Sequence, residues 1–209
     1  MATFKQIFLL FALALGLKTF AQTKQSNLNT DSVKIVIPFK QKDTTYWVDN
    51  FRQFRDAIFH RDKTKAKAFF NFPIKDESNE IWYLAYSEND KSIDKLGNIA
   101  KPFTEVDFDK YFDNIFSKNF VKSLLQIKVD ELYKKGTFDT SELKDSSTTC
   151  ILLSSYDKTE HSLQLNLNSN TPINDDKGQP IEAGEFSIIY YFEITKQGHI
   201  KFKKIMLAG

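Results

Sequence analysis

Near Ser141 the spacing of apolar residues changes from a helical period to a period of two, and this change restricts the chain to one fold class. Before it, Trp47, Phe51, Phe54 and Ile58 recur at intervals of 4, 3 and 4. That spacing aligns them on one helical stripe and leaves Arg52, Asp56 and His60 on the opposite side. After it, Leu163, Leu165 and Leu167 alternate with Gln164, Asn166 and Asn168, as a strand with one buried face requires. The runs TTCILLSSY and HSLQLNLN, separated by Asp157 to Glu160, predict one hairpin. The runs EFSIIYYFEIT and HIKFKKIML, separated by Lys196-Gln197-Gly198, predict a longer one with Phe186, Ile188, Tyr190, Phe192 and Ile194 on a single face. Helices first and antiparallel hairpins afterwards imply an α+β fold, with the helices packed on one face of the sheet.

Local signals fill in the helical half. Asp62 can cap a short second helix with Ala66, Phe69 and Phe70 inward, and the chain should break at Phe72-Pro73. The aromatic run IWYLAY, residues 81–86, has polar flanks and is expected to be a strand. Thr104 stands where its side chain can accept from the amide of Asp107, with Phe103 and Phe108 at the two staple positions, so a helix should start at Glu105. Phe112 and Ile115 continue its apolar face, and Phe120, Val121, Leu124 and Leu125 predict a further helix after Ser117-Lys118. DELYKKG reads as one more turn, stopped by Gly136.

The N-terminal segment places the domain in the cell. Lys5, an apolar run from Ile7 to Leu17 and small or neutral residues up to Ala21 have the layout of a signal peptide, with cleavage expected after Ala21. Eleven apolar residues rise only ~16 Å as a helix, about half of a bilayer core, so no stable membrane span is expected after cleavage. Residues 22–32 are polar and aperiodic and read as a flexible linker. Residues 33–209 then form a single α+β domain, opened by the short run KIVIPF as an edge strand stopped by Pro38. The expected destination is the periplasm or the exterior. Cys150 is the only cysteine and has no internal disulfide partner. The whole chain has 29 basic and 27 acidic residues, and removing Lys5 and Lys18 with the leader leaves 27 against 27. A chain of zero net charge without a long basic run lacks the surface that releases counterions from nucleic acid, so no nucleic-acid partner is expected.

The string FRQFRDAIFHRDKTKAKAFFNFPI and the terminal hairpin SIIYYFEITKQGHIKFKKIMLAG together resemble the nuclear transport factor two-like (cystatin-like α+β) superfamily, in an exported bacterial branch, over about residues 45 to 209. The resemblance implies a cone, with a curved sheet wrapped round a helix and a pocket between them. It implies no single activity, because the superfamily includes isomerases, dehydratases, dimeric binding modules and immunity proteins. Two departures from its common pattern are His199-Ile200, where a Trp is frequent, and a connection of 15 residues from Ser169 to Ala183.

Candidate chemistry is sparse. His60 and Asp56 share a helical face, but it is the polar one, and they should point to water. His199 follows a turn glycine. His161 shares strand parity with Leu163 and should stand at the rim of the buried face. No zinc spacing, calcium loop, GxSxG elbow or phosphate-cradling glycine loop occurs among only seven glycines, so no metal and no cofactor is expected. Cys150, inside TTCILL, reads as a small buried hydrophobe. What remains is aromatic: Trp82, Tyr190 and Phe192, with His161, could line an apolar pocket carrying a few polar groups. These readings predict an exported domain that binds a small apolar molecule or a protein partner without catalysis, with homodimerisation open to it. A competing expectation is an isomerase or dehydratase that sets a carboxylate or His161 against Tyr190 inside the cone. A third is an inhibitor or immunity protein.

Overall fold

A computed structural model of the protein describes residues 47–86, 96, 101–174 and 180–209. The expected leader, the linker and the KIVIPF strand lie outside the described residues.

The first helix, α1 (Trp47–Phe59), buries the stripe its spacing predicts: Trp47, Phe51, Phe54 and Ile58 are all inside, while Asp56 and His60 face water. α2 (Lys63–Lys67) starts at Asp62, whose carboxylate accepts from the amide of Lys65 at 3.0 Å. The hydrogen bond from that amide holds the Asp62 carboxyl below the ordinary aspartate range. The chain then turns, and Ile74 exchanges two backbone hydrogen bonds with Phe103, of 2.8 and 2.9 Å.

IWYLAY is a helix and not the expected strand. It forms α3 (Glu80–Ala85), and the cause lies upstream of it. The Asp76 carboxylate accepts from the amides of Ser78 and Ile81 at 3.1 and 2.9 Å, which satisfies a donor that a helix start would otherwise leave unpaired. Asn79 takes the left-handed conformation (φ 57°) that Asn tolerates better than most residues. Ile81, Trp82 and Ala85 then fall on one buried side, and Tyr83 is exposed.

α4 (Glu105–Ile115) begins with a full capping box: Thr104 Oγ1 accepts from the Asp107 amide, and the Asp107 carboxylate accepts from the Thr104 amide at 2.9 Å. Ser117 caps α5 (Lys118–Gln126) by accepting from Phe120 at 3.2 Å. α6 (Val129–Lys135) ends at Gly136, whose φ of 81° is the left-handed conformation glycine adopts without penalty.

The second half is strand: β1 (Thr137–Asp139), β2 (Leu143–Asp145), β3 (Thr148–Asp157), β4 (Ser162–Asn174), β5 (Pro180–Ile194) and β6 (Ile200–Ala208). They form one antiparallel sheet in the order β1-β3-β4-β5-β6, with β2 also on the edge of β3. Both expected hairpins are present. The expected long connection from Ser169 to Ala183 is mostly ladder instead, because β4 and β5 pair as far as Asn174↔Pro180. Pro172 and Pro180 are tolerated there for a reason visible in the register. β3 stops pairing at Thr149↔Asn170 and β6 at Ser187↔Ala208, so beyond those rows neither strand has an outer neighbour awaiting an amide.

The inward face of the sheet carries Leu152, Leu163, Leu165, Leu167, Tyr190 and Phe192, all buried in one cluster with the helical stripes. The free edge of β6 is closed by loops and helices. Its amides at Ile200 and Phe202 donate to Asn50 Oδ1 and to the Phe69 carbonyl, each at 2.8 Å. An edge so occupied offers no template for a further strand at those positions. Among the described residues no helix is long and apolar enough to cross a membrane.

Candidate functional site

Three of the four aromatic or histidine candidates are core. Trp82 is fully buried on α3 against Tyr86 and Phe103, with ring centroids at 5.3 and 4.9 Å, and its indole N–H donates to the Lys101 carbonyl at 2.7 Å. Phe192 meets Phe54 at 5.1 Å and Phe202 at 5.8 Å. Tyr190 lies between Phe120 at 4.4 Å and Phe116 at 6.1 Å, and its hydroxyl donates to the Ile115 carbonyl at 2.5 Å. That carbonyl belongs to the last turn of α4, where no intrahelical amide is left to reach it. The tyrosine therefore has its partner inside the protein, and burial pushes its phenol above the ordinary range. Tyr190 and Trp82 have separate sets of ring neighbours: Phe116 and Phe120 pack on the first, and Phe103, Tyr86 and Tyr111 on the second.

His161 is not at the rim of the buried face. The Asp157 carboxylate accepts from the amides of Thr159 and Glu160 at 2.7 and 2.9 Å, which tightens the turn and leaves His161 exposed with φ 48°, just before β4 begins. Strand parity does not extend to it. His60 and Asp56 approach to 3.4 Å but are both 63% exposed, as their helical position implies. Cys150 is buried beside Ser169 Oγ and Asn119 Nδ2. Among the described residues no group of three His, Cys, Asp or Glu side chains could hold a metal ion.

A surface feature without a counterpart among the expected sites lies where the C-terminal ends of α1 and α4 meet the length of α5. α5 has two faces: Phe120, Ser123 and Leu124 point into the core, while Lys118, Lys122 and Leu125 stand outward at i, i+4 and i+7, with Val121 half-buried between them. The outward face is one wall of a groove of about 510 Å³. Its floor is Ile58, Phe112 and Phe116, all buried; its lip is Phe59 and Leu125, which are 50% and 42% exposed. Arg61, Lys118 and Lys122 surround it with positive charge, and Asp113 is ion-paired to Arg61.

A second hollow of about 420 Å³ shares Phe59 and Leu125 with the first and is bounded by Arg52, Gln53, Arg55 and Asp56. Arg55 donates to the Ile127 carbonyl at 2.9 Å, and burial followed by the neighbouring Arg52 lowers its guanidinium below the usual value. Arg52 itself is held by Asp49 at 2.7 Å and Asp130 at 2.9 Å. The lining of the two hollows includes no histidine, cysteine or hydroxyl. Such a surface can hold apolar side chains and attract carboxylates.

One signal for it was present in the sequence. Phe120/Leu124 and Val121/Leu125 are two i, i+4 apolar pairs one residue apart, an arc wider than one buried stripe, and Lys118 and Lys122 flank it. Compared with protein-family models, with curated proteins and with solved structures, the chain matches none.

Proposed function

We propose that this chain is an exported, non-catalytic binding domain that engages a protein partner through the paired hollows on α1, α4 and α5. The observation that carries this reading is the exposed apolar ridge of Phe59 and Leu125 over a buried aromatic floor; Tyr83, Val106 and Phe186 are also exposed, but none of them borders this groove. The filled core round Tyr190 supports the same choice, because a hydroxyl donated to Ile115 is not free to take a ligand atom or act as an acid. The fold is proposed to be of the nuclear transport factor two-like kind with a cone-shaped sheet. Its support is the placement of apolar helix stripes against one sheet face, with a register shift between Tyr191 and Phe192, a device that curves strands.

The anionic apolar dye 1-anilinonaphthalene-8-sulfonate tests the site on the native protein. Saturable binding is expected, weakened about tenfold or more by Phe59→Ser with Leu125→Ser, since both side chains leave the lip and neither supports the core. Dye binding that the double substitution leaves unchanged, or no saturable binding, rejects the groove as a binding surface. Export rests on Lys5 and the apolar run from Ile7 to Leu17. N-terminal sequencing of the protein from its own cells is expected to start at Gln22, and an intact Met1 in a membrane fraction would reject cleavage.

A further inference from the structure

We infer that the partner presents an acidic, amphipathic segment, with its apolar side chains in the two hollows and its carboxylates on the rim. This rests on the reading of the groove as a docking surface and adds the chemistry of what docks. The first ground is charge. The residues bounding the two hollows include five cations, Arg52, Arg55, Arg61, Lys118 and Lys122, against two carboxylates, Asp56 and Asp113. The chain after the expected cleavage point is neutral, with 27 basic and 27 acidic residues. Asp49 and Asp130 hold Arg52 and Asp113 holds Arg61, so the charge left uncompensated at this face is chiefly that of Lys118 and Lys122.

The kind of cation is also uneven. The chain has three arginines, and all three border these hollows, whereas its lysines are spread along the sequence. Arginine is the cation that interfaces favour, because its planar fork meets carboxylates at two points and its desolvation is less costly than that of an ammonium. Arg52 and Arg61 already hold carboxylates within the chain, which fixes their positions at the border. Lys118 and Lys122 are exposed and have no carboxylate within ion-pair distance among the described residues. They are four residues apart on one face of α5, so their stems are separated by about 6 Å along the axis. That separation matches acidic side chains one turn apart on a partner helix.

The form of the surface selects a chain segment over a small molecule. Two hollows divided by the Phe59–Leu125 ridge are spanned by a peptide carrying successive apolar side chains, whereas a compact ligand fills only one of them. A second copy of this chain is disfavoured by symmetry: a two-fold contact through this face would bring the same cations against themselves.

The test places the photo-crosslinking residue p-benzoylphenylalanine at Leu125 in the full chain, in the cells that make it, and identifies the linked peptide by mass spectrometry. The expected result is one discrete protein, linked through a segment in which acidic residues outnumber basic ones round an apolar core. That segment, synthesised, should bind the purified full chain, and Lys118→Glu with Lys122→Glu should weaken it about 10- to 100-fold. Both lysines are exposed and Lys118 opens α5, where glutamate suits the helix dipole, so the double variant should fold; matched thermal unfolding verifies this. A linked segment without acidic excess, or one whose affinity survives the charge reversal, overturns the inference while leaving the groove as a docking surface. Linkage to a second copy, or to lipid, assigns the face to a different occupant and also overturns it. Absence of any adduct removes the docking reading itself.

Discussion

Phe54→Ala is expected to lower the free energy of unfolding by about 3 to 5 kcal/mol, whereas Phe59→Ala on the same helix should change it by no more than about 0.5 kcal/mol. The two residues are five apart in α1 and chemically identical, so the difference isolates the direction each faces. Phe54 is wholly buried and meets Phe69, Phe116 and Phe192 in edge-to-face contacts at 5.3, 6.1 and 5.1 Å. These neighbours come from just past α2, the C-cap of α4 and the C-terminal part of β5, so one ring ties the helical layer to the sheet. Its loss opens a cavity walled by rings that cannot all collapse inward, and geometry of that kind places the cost at the upper end of the range. Phe59 is half exposed on the lip of the groove and loses little by truncation. Urea unfolding of the two variants with a shared slope makes the comparison. Equal losses would mean that α1 does not present one face to the core.

Features set by local spacing were legible in the sequence. The stripe on α1, the Thr104 cap, the stop at Gly136 and the alternation in β4 each depend on residues within one or two turns of one another, and each appears where the spacing places it. Features set by a distant partner were not. The aromatic run at 81–86 has the composition of a strand, but strand preference is largely a preference for a pleated packing surface. Without a neighbouring strand to supply one, the acceptor at Asp76 decides for helix. The outer part of the β4–β5 ribbon was hidden by two prolines and a polar sequence, which become permissible only because that part of the ribbon has no flanking strands.

The candidate site divides along the same line. Burial of Tyr190 and Phe192 follows from the alternation of β5, so the sequence identifies them as inward-facing. Whether an inward aromatic lines a cavity or fills one depends on what stands opposite, and here Phe116 and Phe120 reach from the α4–α5 junction to fill the space. The groove is the reverse case. Its walls come from three helices, and the exposure of Leu125 is fixed by how far α1 and α4 extend beside α5. His161 shows how one side chain can cancel a parity argument, because the Asp157 carboxylate closes the turn before the strand begins.

Tyr190→Phe should reverse its effect with pH. At neutral pH the wild-type hydroxyl donates to the Ile115 carbonyl, and removing it leaves that buried acceptor unpaired at a cost of about 1 to 3 kcal/mol. The phenol resists ionisation in place: it is buried against Phe116 and Phe120, and burial raises its pKa above the ordinary value. In the unfolded chain it ionises normally, near pH 10. The folded state thus holds a proton that the unfolded state releases, and linkage then lowers wild-type stability as pH rises above about 10, by up to about 1.4 kcal/mol per pH unit from this group. Below pH 10 the group is neutral in both states and adds no slope. The phenylalanine variant lacks the group and escapes that loss, while the other tyrosines and the lysines titrate alike in both proteins. The stability difference should therefore be constant from pH 7 to 9, shrink above pH 10, and change sign within one to two further units, as measured by urea unfolding at each pH. A difference that stays constant to pH 12 would mean that Tyr190 ionises as readily folded as unfolded, and would overturn the burial of its ring against Phe116 and Phe120.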